Sequence, residues 1–200
     1  MLHSMLSRIA HEYTRERVKP FSKSEFGNFV RRDVVTEARK ATLFLPLELK
    51  IKASVGQFNS WAAVPWLAFL DPLETTTAQE GIYVVYLINA QTSEIFLSLN
   101  QGATSVMRDH KPFKRSLEVL RRQAFDIRDR LHDFNSSFDC TEISLGSDAD
   151  LPVAYEAGHV FGRRYSAGNI DRVLFNEDLE KMIFAYETLI NRGGAIPLNI

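Results

Sequence analysis

The chain has 200 residues, of which 45% are hydrophobic and 24% charged, a composition that indicates one globular domain and excludes an intrinsically disordered chain. The formal net charge of −1 neither requires nor excludes a nucleic-acid partner, because a local basic surface decides such binding. Cys140 is the only cysteine, which excludes an intrachain disulfide and favours the cytoplasm, and no apolar run reaches the roughly 20 residues that a membrane helix needs.

The first half of the chain predicts helices followed by strands. Residues 1–40 form the helical part, since apolar side chains recur at helical spacing over 1–18 and the segment 25–40 is also expected to be helical. Residues 43–102 form the sheet part. Its expected strands cover residues 47–53, 61–70, 81–88 and 94–99, with 81–88 apolar on both faces and therefore central.

Residues 111–192 are predicted to be mainly helical. The expected elements are an amphipathic helix over 111–134, a short strand over 141–145, a helix or bent segment over 153–165, and a helix over 176–191. Asn176 is expected to cap the last helix, which Gly193 and Gly194 would end. The order of elements predicts a single α+β domain in which helices flank a mixed or antiparallel central sheet.

Motifs for metal or nucleotide chemistry are absent from the sequence. Its five histidines are scattered and no phosphate-binding glycine loop occurs, so we expect no metal and no cofactor. One alternative is a metal-dependent nuclease using Asp33, Glu48 and Lys50, an acid followed by an acid-x-lysine pattern. Glu48 and Lys50 are equally explained as the polar face of a strand.

Aromatic side chains are concentrated near the predicted sheet. Phe58, Trp61, Trp66 and Tyr83 are suited to hold a nucleobase taken out of its stack, and Gly56 permits a tight backbone turn beside them. The same residues also suit an ordinary aromatic core, the interpretation that the residues alone favour. In that case the chain would be an interaction domain that does not bind DNA.

Basic side chains occur in adjacent pairs. Three pairs are candidate contacts to DNA phosphates: Arg31–Arg32, Arg121–Arg122 and Arg163–Arg164. Each pair is equally compatible with a solvated surface, and the sequence does not show whether the pairs share a face.

Three blocks, in this order, resemble the N-terminal DNA-recognition domain of McrB-type, modification-dependent (type IV) restriction systems. They read GQFNSWAAVPW over 56–66, GIYVVYL over 81–87 and FLSLNQG over 96–102. The later AYEAGH over 154–159, followed by Arg164-Tyr165, also fits the family. The resemblance extends over most of the chain from about residue 45 onward, and more loosely to the first helix.

The resemblance implies a module of phage defence that flips a modified cytosine, 5-methylcytosine or 5-hydroxymethylcytosine, out of double-stranded DNA into an aromatic pocket. It implies no catalysis here, because cleavage would belong to an effector nuclease domain or subunit. The residues 195–200 suggest a linker toward such an effector, and an isolated module is the alternative.

By motif, the pocket residues are Phe58, Trp66, Tyr83 and Leu87, with Trp61 beside them. The family reads Gly-x-Gly-Asn-aromatic, whereas this loop lacks the second glycine and is one residue longer, so either Gln57 or Phe58 takes the stacking position.

Overall fold

A five-stranded antiparallel sheet forms the centre of the protein, and its strands lie in chain order, β1-β2-β3-β4-β5. The computed structural model describes residues 1–45 and 47–195. The strands are β1 (Lys50–Gln57), β2 (Ser60–Leu70), β3 (Ile82–Asn89), β4 (Glu94–Gln101) and β5 (Phe161–Ser166).

Helices precede, interrupt and follow the sheet. They are α1 (Leu2–Glu16), α2 (Glu25–Asn28), α3 (Val35–Ala41), α4 (Ala103–Asp109), α5 (Phe113–Arg130), α6 (Asp150–Gly158) and α7 (Arg172–Asn191). A π-helical segment, Phe29–Val34, joins α2 to α3, and a 3₁₀ helix, His132–Phe134, follows α5. The prediction of a single α+β domain is confirmed, and of the two predicted sheet types the antiparallel one is present.

Strand β3 is buried along its entire length, as its apolar sequence predicts. Successive side chains of a strand point to opposite faces. The even-numbered residues, such as Tyr86, therefore enter one apolar core, and the odd-numbered residues, such as Tyr83 and Leu87, enter another. The sheet thus has helices packed on both faces.

The first face is covered by α1, the π-helical segment, α3 and α7, and the later residues of α5, Ala124 and Ile127, join the same core. Phe175 of α7 stacks on Tyr86 with ring centroids 5.1 Å apart. The hydroxyl of Tyr186 donates to the Ile82 carbonyl over 2.7 Å and accepts the amide of Asp71 over 3.2 Å, which fixes α7 to the start of β3. This layer extends across to β1 through Ile51.

The second face is covered by α4, α5 and α6, and this layer is smaller. Its core contains Leu120 of α5 and Ala154 of α6, packed against β2, β3 and β4, but no buried residue of β1. The side chains of β1 on this face, Lys52 and Ser54 among them, are only partly buried. The uncovered area beside β1 becomes the cleft described below.

The sequence-based prediction is wrong for residues 141–145, and for 153–165 it includes the helix but misses a strand. Residues 141–145 form no strand, and only Cys140 makes an isolated bridge, to Gly162. The segment 153–165 comprises most of α6 and all but the last residue of β5, which pairs with β4. A side chain at Gly162 would collide with the carbonyl of Leu97, so pairing depends on a contact that strand periodicity does not reveal.

Two helix and strand boundaries also differ from the prediction. The last helix is capped by Asp171, whose carboxylate accepts the amides of Val173 and Leu174, and not by Asn176. Strand β1 begins at Lys50, after the predicted start at residue 47. Pro46 lies outside the described residues, as do residues 196–200, the segment expected to be a linker. None of the helices in the described part is both long and apolar enough to cross a bilayer.

A buried polar network joins β4 to the start of β5. The Ser98 hydroxyl lies 2.6 Å from Nδ1 of His159, and Nε2 of His159 lies 2.9 Å from the Cys140 carbonyl. The carbonyl can only accept, so Nε2 carries the proton and Nδ1 accepts from Ser98. Burial lowers the pKa of His159 to about 4, and the neighbouring Arg128 guanidinium adds to this decrease. His159 is therefore neutral in the folded protein at neutral pH.

We expect the protein to lose stability in mild acid through His159. Its pKa is lower in the folded chain than in the unfolded one, so its contribution is complete above pH 6.5 and is lost as the pH falls toward 4. Between pH 7 and 4.5 the free energy of unfolding from urea titrations should fall by about 2 kcal/mol through this group. His159→Gln should flatten that dependence, and an unchanged slope in this variant would contradict the assignment.

Candidate nucleic-acid interface

A cleft of about 490 Å³ lies on the second face of the sheet, where the helices leave β1 and the first half of β2 uncovered. We call it the hairpin cleft. It is bordered by the β1–β2 hairpin, the segment 77–79 and the beginning of α6. Its volume is within the range of about 300–1,000 Å³ that is usual for ligand pockets.

Three aromatic residues border the hairpin cleft, Trp61, Trp66 and Tyr155. Trp66 is half-buried on β2, and Tyr155 is a nearly buried residue of α6 whose pKa is raised to about 12 by burial, so its phenol stays neutral. Polar side chains of Ser54, Thr77 and Gln79 also line the cleft. Aromatic walls with a few polar groups can hold a flat, hydrogen-bonding ring.

Tyr155 was not predicted as a site residue. It lies in the AYEAGH block that resembles the McrB-type family, which was a usable signal. Strand and helix periodicity could not identify it, because its position depends on how α6 packs against β2.

Tyr83 and Leu87 lie on the same face of the sheet as Trp66 but behind the surface of the cleft. Both are buried, and Leu87 is the cross-strand partner of Trp66. The Tyr83 hydroxyl donates to the Ala78 carbonyl over 3.1 Å and so holds the segment 77–79 that borders the cleft. Their position is that of residues that support the cleft wall.

Trp61 packs against the core of the first face, whereas Trp66 packs against the core of the second face. Its ring packs edge-on against Tyr13, at 5.8 Å between centroids, and against Phe21, at 5.2 Å. Its indole N–H donates to the Lys19 carbonyl over 2.8 Å. Both tryptophans border the hairpin cleft, but the Trp61 ring packs against the core of the first face and the Trp66 ring against that of the second.

Phe58 lies at the tip of the β1–β2 hairpin and is 92% exposed. Gln57 pairs with Ser60, which leaves Phe58 and Asn59 as the two loop residues, with φ of 52° and 59°. Positive φ at both loop positions is the feature of a type I′ turn, which strongly favours Asn-Gly. A bulky residue in that conformation is strained. Gln57 borders the cleft, whereas Phe58 does not.

Gly56 shapes the base of the same hairpin. A bulge lies between Ser54 and Gly56, and Gly56 has φ of 130°, a conformation that side chains disfavour. A Cβ at this position would also collide with the backbone of Ser60 and Ala62. The hairpin in this shape requires glycine there.

The predicted phosphate-contacting arginines lie in two separate environments. Arg163 forms ion pairs with Asp139 at 2.9 Å and with the buried Asp178 at 3.3 Å, and Arg164 lies 3.6 Å from Glu94. Arg121 and Arg122 are exposed on α5. Arg121 borders a second groove, formed by α5, the later residues of α6 and residues 141–143. The guanidinium group of Arg163 is already held by carboxylates.

The residues of the nuclease alternative, Asp33, Glu48 and Lys50, are all exposed, Asp33 on the π-helical segment and the other two at the start of β1 or just before it. Across residues 1–45 and 47–195, no three His, Cys, Asp or Glu side chains are grouped so that they could hold a metal ion.

Phe58→Asn should stabilise the protein, because asparagine tolerates the left-handed conformation at the turn. We expect the free energy of unfolding, measured by urea denaturation, to rise by about 0.5–1 kcal/mol. Leu73→Asn is the matched control, since Leu73 is also exposed but has no positive φ. A Phe58→Asn protein no more stable than the wild type would show that the turn is not strained.

The family model described as MrcB-like, N-terminal domain, matches residues 8–191, a range that runs from within α1 to the last residue of α7. No curated protein matches the chain. The matched range contains the sheet, both helix layers and the hairpin cleft, and so the chain belongs to the MrcB-like N-terminal domain family.

Proposed function

We propose that this domain is the DNA-binding module of a modification-dependent restriction system and that it reads a modified cytosine by base flipping. The observation that carries the proposal is the hairpin cleft with Trp66 and Tyr155, located beside a hairpin whose tip exposes Phe58. Membership of the MrcB-like family supports it.

In this proposal the extruded base enters the hairpin cleft and lies against the rings of Trp66 and Tyr155. Base–aromatic stacking contributes about 1–3 kcal/mol per base in related settings. Thr77 and Gln79 line the same cleft and have the donors and acceptors that a pyrimidine edge requires. Tyr83 fixes the segment that carries both residues through its bond to Ala78.

Selection for the modification comes from the fit of the substituent at C5 of the ring. A methyl group that leaves water for an apolar surface contributes roughly 0.8 kcal/mol. This amount is small, so the energy of unpairing the base and the phosphate contacts must set most of the affinity.

Phe58 would fill the space that the extruded base leaves in the duplex. Proteins that distort DNA often insert an apolar wedge between base steps. An exposed aromatic ring, held in a strained turn next to the cleft, has the chemistry and the position of such a wedge. The module would not cut DNA itself, and an effector nuclease domain or subunit in the cytoplasm would do so.

Trp66→Ala tests the cleft. Fluorescence anisotropy should compare matched duplexes carrying cytosine, 5-methylcytosine or 5-hydroxymethylcytosine. We expect the wild type to bind one modified duplex most tightly, and Trp66→Ala to lose about tenfold in affinity for that duplex while its binding to unmodified DNA changes little. Phe125→Ala, which removes an exposed ring on α5 outside the cleft, should leave the preference intact.

Two results would count against base reading in this cleft. A folded Trp66→Ala protein with the wild-type preference would place the pocket elsewhere. Equal wild-type binding to all three duplexes would remove the modified-base assignment.

Phe58→Asn tests the wedge in the same assay. We expect weaker binding to the preferred duplex and a smaller rise in the fluorescence of 2-aminopurine placed beside the modified base, because the unstacked state loses its apolar support. Together with the expected gain in stability, this result would separate function from folding. Unchanged 2-aminopurine fluorescence would exclude a wedge role for Phe58.

A further inference from the structure

We infer that the face of the β1–β2 hairpin opposite the cleft carries a DNA-phosphate-binding surface, the basic collar, formed by Arg17, Lys23, Arg31 and Arg32. The ligand class rests on the proposed DNA-binding function. Residues 15–32 contain six cationic and two acidic side chains, a formal charge of +4 within a chain whose total is −1. Clustered positive charge of this kind is what phosphate binding requires.

The collar is attached to the hairpin through Trp61. The indole N–H donates to the Lys19 carbonyl over 2.8 Å, and the Trp61 ring packs on Phe21 at 5.2 Å. The Arg31 guanidinium in turn lies 5.5 Å from the centre of the Phe21 ring. Because Trp61 follows Phe58 by three residues, these contacts fix the collar close to the hairpin tip.

The cationic groups of the collar are not neutralised by nearby carboxylates of the described residues and can contact phosphates. In residues 1–45 and 47–195, no carboxylate lies within 4.0 Å of the cationic groups of Arg17, Lys23, Arg31 or Arg32. Arg17, Lys23 and Arg32 are exposed, and Arg31 is partly exposed. By contrast, Lys19 is paired with Glu16 at 2.7 Å. Unpaired and solvated cations release counterions when they meet phosphates, which favours binding.

A second basic surface, on α5, is not attached to the hairpin and is less suited to contact a duplex that the hairpin enters. Lys114, Arg121 and Arg122 are also exposed and are paired with no carboxylate in the described part of the chain. Arg121, however, borders the groove at the later residues of α6, whereas the beginning of α6 borders the hairpin cleft. The collar alone is tied to the hairpin itself.

The two faces of the hairpin thus suit the two backbones of one duplex. A duplex entered by the tip has one strand on each side of the hairpin. The strand that gives up its base lies on the cleft side, and the collar meets the phosphates of the other strand. This arrangement assigns sequence-independent affinity to the collar and base preference to the cleft.

The test compares two triple variants in anisotropy titrations at several NaCl concentrations, with unmodified and modified duplexes. Arg17→Gln/Lys23→Gln/Arg31→Gln neutralises the collar, and Lys114→Gln/Arg121→Gln/Arg122→Gln is the matched control on α5. We expect the collar variant to reduce the slope of log K against log salt by about 2–3, since each phosphate contact contributes about 0.9. Its affinity for both duplexes should fall more than tenfold at low salt, with their ratio unchanged.

The outcomes separate the collar from the base reader. The collar assignment is overturned if the collar variant keeps the wild-type salt slope, or if the α5 variant shows the smaller slope instead. Neither result affects a base preference of the cleft. If the wild type shows no base preference but the collar variant still has a smaller salt slope, the collar assignment stands. The modified-base assignment is then rejected. Lack of DNA binding by the wild type would reject both. Arg31→Lys should keep the slope, which distinguishes charge from packing on Phe21.

Discussion

The alternation of side chains in β2 and β3, with a helix layer on each face, is the constraint on which the rest of the structure depends. Because β3 is buried on both faces, Tyr86 and Tyr83 belong to separate cores although they are near neighbours in sequence. The two cores also divide the tryptophans, since Trp61 packs on the α1 side and Trp66 on the other. The assignment of the β3 aromatic residues to one core or the other follows from this division.

The hairpin cleft exists because the two layers differ in extent. The first layer reaches β1 and supports the base of the hairpin, where the Tyr13 hydroxyl lies 3.0 Å from the Val55 carbonyl and 2.7 Å from that of Ala62. Tyr13 is fully buried, and burial raises its pKa well above its usual range, so it remains a neutral donor. The second layer stops at β2. A hairpin held firmly on one face and open on the other can support a strained, exposed Phe58 at its tip.

Several features were predictable from the sequence because they are local. Apolar character on both faces identified β3 as central, and the recurring apolar residues of 1–18 and 111–134 identified α1 and α5. Strand β5 was missed because it depends on contacts with distant segments and not on a local pattern. It contains two arginines and a glycine in six residues, and it is a strand only because Gly162 fits against Leu97 of β4 and bridges to Cys140.

By itself, the sequence determined the α+β class, the central strand, the family blocks and the residue types from which a base-binding site could be built, since these depend on neighbours along the chain. Only the tertiary structure decided which side chains meet. It joined Trp66 with Tyr155, which are 89 positions apart, and placed Tyr83 and Leu87 behind the cleft wall. It also paired Arg163 with Asp178 and brought residues 17–32 to the hairpin. Contacts between distant segments depend on how whole layers pack, and no local pattern encodes that packing.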